Sequence, residues 1–223
     1  MDSRVVAREI KNEIWPLLRR EGFTMFSPKT AWRSTPDQIH VVNYQSFNSY
    51  LAEGVGCATF SFALNLGIFF RAIPIEYPMT KGPDPSVKPQ EYHCHFRHRL
   101  LKNIEQPILP RRDTWYVERD VSNLLQCLDD SRTAIVKEGL PWLDRFESLE
   151  SVLRLLMEQE QLPEVYATRT SPARKRMIGY IARRIGRIDI AEPLIAEAES
   201  EMKRLRDHVL SIGRGRNRKA ETK

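Results

Sequence analysis

Three histidines and a cysteine crowd into residues 91–100, EYHCHFRHRL, and no other stretch of the chain gathers chemistry-bearing side chains so densely. His93 and His95 stand two apart. On an extended strand that spacing puts both imidazoles on one face about 7 Å apart, from where two neutral rings can chelate zinc. A catalytic metal site needs a third protein ligand and a position for water, and neither a Cys-x-x-Cys pair nor a His-Glu-x-x-His run supplies one. Arg97 and Arg99 share the same face and would repel a dication. Period-two alternation then sends Tyr92, Cys94, Phe96, His98 and Leu100 toward a core, with Cys94 a buried, unreactive thiol and His98 a hydrogen-bonded core histidine. His93, His95, Arg97 and Arg99 fall on the wet side. No metal ligand set and no cofactor is assigned. A metal-assisted enzyme working through His93 and His95 stands as an alternative.

Other catalytic signatures are missing from the sequence. There is no G-x-x-x-x-G-K-[ST], no G-x-G-x-x-G and no G-x-S-x-G. The glycines of EGVGCATF precede a strand pattern instead of opening a helix, so they do not make a phosphate cradle. No pair of carboxylates stands out as placed for acid–base work. No catalytic residue is assigned, and the sequence leans against an enzyme.

The elements that position these residues follow from periodicity. Val6, Ile10, Ile14, Leu17 and Leu18 recur at helical spacing after Ser3, and Pro16 is expected to kink or shorten that helix near Trp15. Gly22 is a stop signal. GFTMFSPKTAWRS reads as a short strand, a turn at Ser27-Pro28 and a second strand, and QIHVVNYQSF as a third. From Gly56 to Phe70 the alternation is strongest. Phe60, Phe62, Leu64, Leu66, Ile68 and Phe70 share one parity; Thr59, Ser61, Asn65 and Gly67 share the other. That pattern predicts a strand with one buried and one small, polar face, as in an antiparallel sheet covered on one side by helices. Residues 74–89 carry five prolines and read as a loop. After Trp115 comes a helix with Val121, Leu124, Leu125, Leu128, Ile135 and Val136 inward, ending near Gly139 ahead of Pro141. Ser148 caps a short helix that buries Val152, Leu155 and Leu156. Ser171-Pro172, Gly186 and Asp189 mark a two-helix hairpin.

Composition bounds the rest. The chain has 223 residues and a formal charge of +6, but residues 171–223 hold 14 Lys or Arg against 7 Asp or Glu while residues 1–170 hold 21 against 22. The body is close to neutral, so the basic character belongs to the C-terminal quarter. Nucleic-acid binding through those basic helices is a second alternative, weakened because the arginines of the first also read as a solvated face. The three cysteines form no close pair and fit reduced thiols. Charges interrupt every apolar run near the N-terminus, and no run reaches the roughly 20 apolar residues of a membrane helix. A cytoplasmic protein without membrane contact is expected.

LLRREGFTMFSPKTAWR, VVNYQSF, FSFALNLGIFF, CHFRHRL, TWYVE and GLPWLDRFESLESVL, in this order, resemble a bacterial family of domains of unknown function, domain of unknown function forty-three-oh-four. The resemblance covers roughly residues 5–157. The family tends to place Gly where this chain has Leu101 and Trp where it has Tyr116. The resemblance implies no activity, substrate or cofactor, and carries over no functional residue.

The expected architecture is α+β: an antiparallel sheet of about five strands with helices packed on one face, plus a C-terminal helical hairpin. Residues 1–160 would form the α+β domain, 171–212 the hairpin and 213–223 a disordered basic tail. The expected function is non-catalytic binding of another protein, of an immunity or regulatory kind. The expected surface is a polar sheet face made of Thr59, Ser61, Asn65, His93, His95, Arg97 and Arg99.

Overall fold

The computed structural model describes residues 3–75, 86–106, 111–159, 161–165 and 170–220. The fold is α+β, with a five-stranded antiparallel sheet in the order β1-β2-β3-β4-β5. The strands are β1 (Met25–Phe26), β2 (Thr30–Ser34), β3 (Gln38–Ser46), β4 (Phe62–Phe70) and β5 (Phe96–Arg99). Two compact units emerge: residues 1–71 with 75–147, and residues 72–74 with 148–223.

In the first unit the sheet is built on the pairings Ala31↔Val42↔Leu66↔His98 and Trp32↔Val41↔Gly67↔Arg97. One face carries Val42, Tyr44, Leu64, Leu66, Ile68, Phe70, Phe96 and Leu100, all buried. The helices α1 (Ser3–Glu9), α2 (Trp15–Arg20), α4 (Leu124–Ala134) and α5 (Leu140–Asp144) supply the partners of this face. Phe96 meets Phe70 at 5.1 Å and Phe146 at 5.0 Å, both edge-on, and Phe62 stacks on Trp115 at 5.6 Å. Gly139 lets its helix lie close against the sheet: a Cβ there would come within 3.2 Å of Leu100 Cδ1 and 3.4 Å of Leu66 Cδ1.

In the first unit, the helices that contain Pro16 and Pro141 run through them. A π-helical turn, Ile10–Ile14, joins α1 to α2, and another, Ile135–Gly139, joins α4 to α5. The N–H of Trp15 reaches Ile10 O, and that of Leu140 reaches Ile135 O. The wide turn absorbs the missing N–H and the bulk of Pro16 or Pro141, so neither ends its helix. The stop expected at Gly139 is therefore absent. Val136 and Leu125, expected inside, are 47% and 65% exposed, while Leu124, Leu128 and Ile135 are buried. Each exposed residue sits one position beyond the buried stripe, and α4 begins only at Leu124, after a turn in which Val121 has φ 60°.

The strand expected over 56–70 begins at Phe62. Residues Ser49–Val55 form the short helix α3, closed by Gly56 at φ 76°, with Gly56 N–H donating to Glu53 O and Cys57 N–H to Ala52 O. This cap satisfies the last carbonyls and turns the chain before β4. Every residue of β4 is buried, on both faces, against the expectation of one open polar face.

The second unit contains α6 (Leu149–Glu158), α7 (Pro172–Arg184) and α8 (Ile188–Ala220). Ser148 and Ser171 cap α6 and α7 through their hydroxyls, accepting from Ser151 N–H and Arg174 N–H, each at 3.3 Å. Gly186, at φ 81°, closes α7 with Arg187 N–H donating to Ala182 O. Asp189 sits inside the first turn of α8 instead of capping it. The backbone of α8 is helical to Ala220, into the stretch expected to be disordered; residues 221–223 lie outside the described residues. Most of the proline-rich loop, 76–85, and residues 107–110 also lie outside them.

Candidate functional site

The second face of the sheet divides into a half covered by another segment and a half made of polar side chains. In the covered half, Trp32, Ile39, Val41, Phe69 and Cys94 form a small cluster with Met25 beside it. Residues 86–95 lie over it. Trp32 Nε1–H donates to Pro89 O at 2.7 Å. Gly67 makes the contact close: a Cβ there would stand 2.5 Å from Cys94 Sγ. Burial, with Glu91 nearby, pushes the Cys94 thiol well above its usual range. The inert-thiol expectation agrees with that direction, although Cys94 packs on this face and not on the helix-covered one.

The histidines are not strand residues. Glu91–His93 is a 3₁₀ turn, and β5 starts only at Phe96. His93 Nδ1 accepts from Gln90 N–H at 3.0 Å, and His95 Nδ1 accepts from Phe70 N–H at 3.0 Å, with the His95 ring tilted 5.0 Å from that of Phe69. Each Nδ1 is thus occupied by a backbone donor. His93 Nε2 is buried and has no hydrogen-bond partner among the described residues, and burial lowers its pKa. Among the described residues no group of three or more His, Cys, Asp or Glu is arranged to hold a metal. Tyr92, expected inside, is 63% exposed because the turn breaks the alternation. His98 does face the helices, half-buried, stacked on Trp142 at 5.3 Å and 2.7 Å from Glu138 Oε1.

The polar half is a row across four strands, in which Thr30 and Asn65 are buried, Asn43 is half-buried and Arg99 is exposed. Thr30, Asn43, Asn65 and Arg99 stand opposite one another in register. Asn43 Nδ2 donates to Thr30 Oγ1 at 2.9 Å, Asn65 Nδ2 to Gln45 Oε1 at 2.9 Å, and Arg99 Nε to Asn65 Oδ1 at 2.9 Å. Arg99 also donates to Asp113 at 3.0 Å, and Arg111 to the same carboxylate at 2.8 and 3.0 Å. The two guanidiniums, Arg111 first, hold Asp113 down to about 2. Lys29 Nζ donates to Ser46 Oγ on the opposite, helix-covered side of the sheet.

Of the seven residues expected to form one platform, the sheet joins Asn65 and Arg99. Arg97 lies opposite Gly67 and pairs with Glu91 at 2.5 Å. Ser61 is fully buried ahead of β4, its hydroxyl accepting from Val117 N–H at 3.0 Å. Thr59 is exposed on the turn before it and lines a separate cleft. His93 and His95 belong to the covering segment. Sequence reasoning missed Thr30, Asn43, Gln45, Arg111 and Asp113. Asn43 and Gln45 were detectable as polar positions on the parity of Ile39 and Val41, but the register that aligns them with Asn65 and Arg99 was not.

A second polar group is buried on the helix-covered face. Arg33 donates from Nε at 3.2 Å and Nη2 at 2.9 Å to His40 Nδ1, which leaves the proton on Nε2, 2.9 Å from Gln38 Oε1. Gln38 Nε2 donates to Phe146 O at 2.6 Å, and Arg33 Nη2 to Asp144 at 2.5 Å. Burial first and the Arg33 charge second lower the His40 pKa to about 4, with Asp144 opposing.

Residues 14–145 match the family described as a domain of unknown function (DUF4304). The match covers more than half of the chain. The chain belongs to this family. No curated protein and no solved structure matches it. The polar row, the covering segment and the His40 group all lie inside the DUF4304 domain, and α6, α7 and α8 lie outside it.

The basic face of α7, beyond the DUF4304 domain, is partly engaged by α8. Lys175 Nζ pairs with Glu197 at 2.9 Å and Glu201 at 2.8 Å, and Arg183 with Glu192 at 2.9 Å. Arg174 is fully buried, its guanidinium donating to Leu155 O, Leu156 O and Gln159 O at the end of α6. These contacts spend charge that a phosphate backbone would otherwise meet. Among the described residues no helix is long and apolar enough to cross a membrane.

Proposed function

We propose that the protein is a non-catalytic binding domain of an immunity or regulatory kind, and that it engages an acidic segment of another protein through the exposed Arg99 and Arg111 rim of the polar half of its sheet. The observation that carries this reading is the row Thr30–Asn43–Asn65–Arg99 with its rim. Arg99 and Arg111 bring two cations to a surface with one carboxylate, Asp113, of its own. The amides of Asn43, Asn65 and Gln45 are already fixed by hydrogen bonds, so little side-chain freedom remains to be lost on binding. Arg99 and Arg111 keep 42% and 46% of their side-chain surface open. A charged rim around an ordered polar centre favours encounter with an acidic partner and fixes its register.

The test is affinity capture from a native-like lysate by the wild-type chain and by an Arg111→Glu variant, at low and moderate salt. The substituted side chain is exposed, and circular dichroism checks the variant's fold. The reading expects a partner that the wild type retains, that salt weakens and that the variant loses. A partner held equally by the variant, or no partner at all, overturns it.

A further inference from the structure

The turn that displaces the start of β4 also builds a cleft. It holds about 450 Å³ and is lined by Ser49, Ala52 and Glu53 of α3, by Cys57, Ala58, Thr59 and Phe60 of the following turn, and by Arg119. That volume falls within the range of small-molecule sites. None of its residues belongs to the polar row. Its walls are held by the backbone: the α3 cap fixes Cys57 relative to Ala52 and Gly56 relative to Glu53, and Ser61 ties the turn to Val117, two residues before Arg119.

The lining is chemically divided. Ala52 and Phe60 are buried and make an apolar floor. Ser49 and Thr59 offer hydroxyls. Glu53 and Arg119 come from different segments, carry opposite charges, and neither has an ion pair or side-chain hydrogen bond among the described residues. A molecule that answers both charges across an apolar floor carries an ammonium and a carboxylate on a small frame with an apolar substituent. We infer that the cleft binds a free α-amino acid with an apolar side chain, its ammonium toward Glu53, its carboxylate toward Arg119, and its side chain over Ala52 and Phe60. An N-acetylated or amidated form of the same molecule loses one of the two charges and with it one of the two anchors.

Cys57 provides the readout. It is the half-buried thiol of the three; Cys94 and Cys127 are buried. A thiol reagent therefore reports on this cleft in the folded protein. Leucine, methionine and phenylalanine at millimolar concentration are expected to slow the modification of Cys57 several-fold, while their N-acetyl and amide derivatives are not. Glu53→Gln and Arg119→Gln are each expected to abolish the protection, read as the ratio of rates with and without ligand in the same variant, because a lost charge beside the thiol also changes its basal rate. Both side chains are exposed, so folding is spared. Equal protection by the blocked derivatives, protection that survives either substitution, or none from any free amino acid overturns the inference. Isothermal titration with leucine decides independently of the thiol: heat of binding in the wild type and none in Arg119→Gln is expected, and no heat in the wild type overturns it.

Discussion

A methyl group at Gly67 would meet both Sγ and Cβ of Cys94, at 2.5 and 2.7 Å. The bare backbone there is what lets residues 86–95 lie flat on the sheet. Gly67→Ala is expected to cost about 1–3 kcal/mol by overpacking, and Cys94→Gly in the same chain to return much of that loss. Urea unfolding of the two single variants and the double variant measures the coupling; additive losses would mean that the close contact does not exist. His40 gives a pH signature. Its pKa drops from 6.5 to about 4 on folding, a shift on the order of 3 kcal/mol. Between those values the unfolded chain binds the proton and the folded chain does not, so stability falls as pH is lowered from 6.5 toward 4. His40→Gln should flatten that slope, at some cost in stability at neutral pH. Asp113, held at about 2, acts in a lower window: its contribution is present above the ordinary carboxylate range and is lost as pH falls through about 2. At this scale the sequence exposed Arg99 and Asn65 but misplaced His93 and His95. Nothing local distinguishes a 3₁₀ turn from the end of a strand when both carry alternating polar residues, and the strand covers Phe96–Arg99 instead of all of residues 91–100.

The prolines taught the most at the level of elements. Both Pro16 and Pro141 sit just after a π-helical turn, and each helix continues. Periodicity locates such helices, but the buried stripe runs through Leu124, Leu128 and Ile135, and Leu125 and Val136, each one residue beyond it, stand in solvent. Strands β2 and β3 were legible because turn residues bound them and their apolar alternation is intact. The beginning of β4 was not, because the alternation of residues 56–61 continues into it while the backbone is turned by the cap at Gly56. In the hairpin, the signals at Ser171 and Gly186 translated directly into a cap and a stop. Arg174 shows what patterning misses: a basic residue in a basic run that is completely buried and closes the end of α6. Arg174→Met is expected to destabilise that unit by about 2–4 kcal/mol, since it strips donors from buried carbonyls, and Arg174→Lys to recover only part because it lacks the planar fork. Chemical unfolding followed by helical circular dichroism checks both; a neutral Arg174→Met would contradict the buried contact.

For the whole molecule, net charge was a poor guide and its placement a better one. The excess sits beyond the DUF4304 domain, yet α8 neutralises part of α7, and the smaller group of cations at the sheet is the one arranged around fixed hydrogen-bonding partners. The sheet class and strand number followed from patterning because each strand must bury one face against the helices. The polar row did not, because it depends on the register of four strands that only long-range pairing sets. The most direct test is nitrogen-15 NMR of the side-chain amides of Asn43, Asn65 and Gln45 and the Nε–H groups of Arg99 and Arg111, titrated with the partner recovered by capture. Binding at the sheet predicts that these signals shift together and saturate at one equivalent, with the shifts reduced by added salt. Unmoved signals along the row, with changes confined to α7 and α8, would contradict the account.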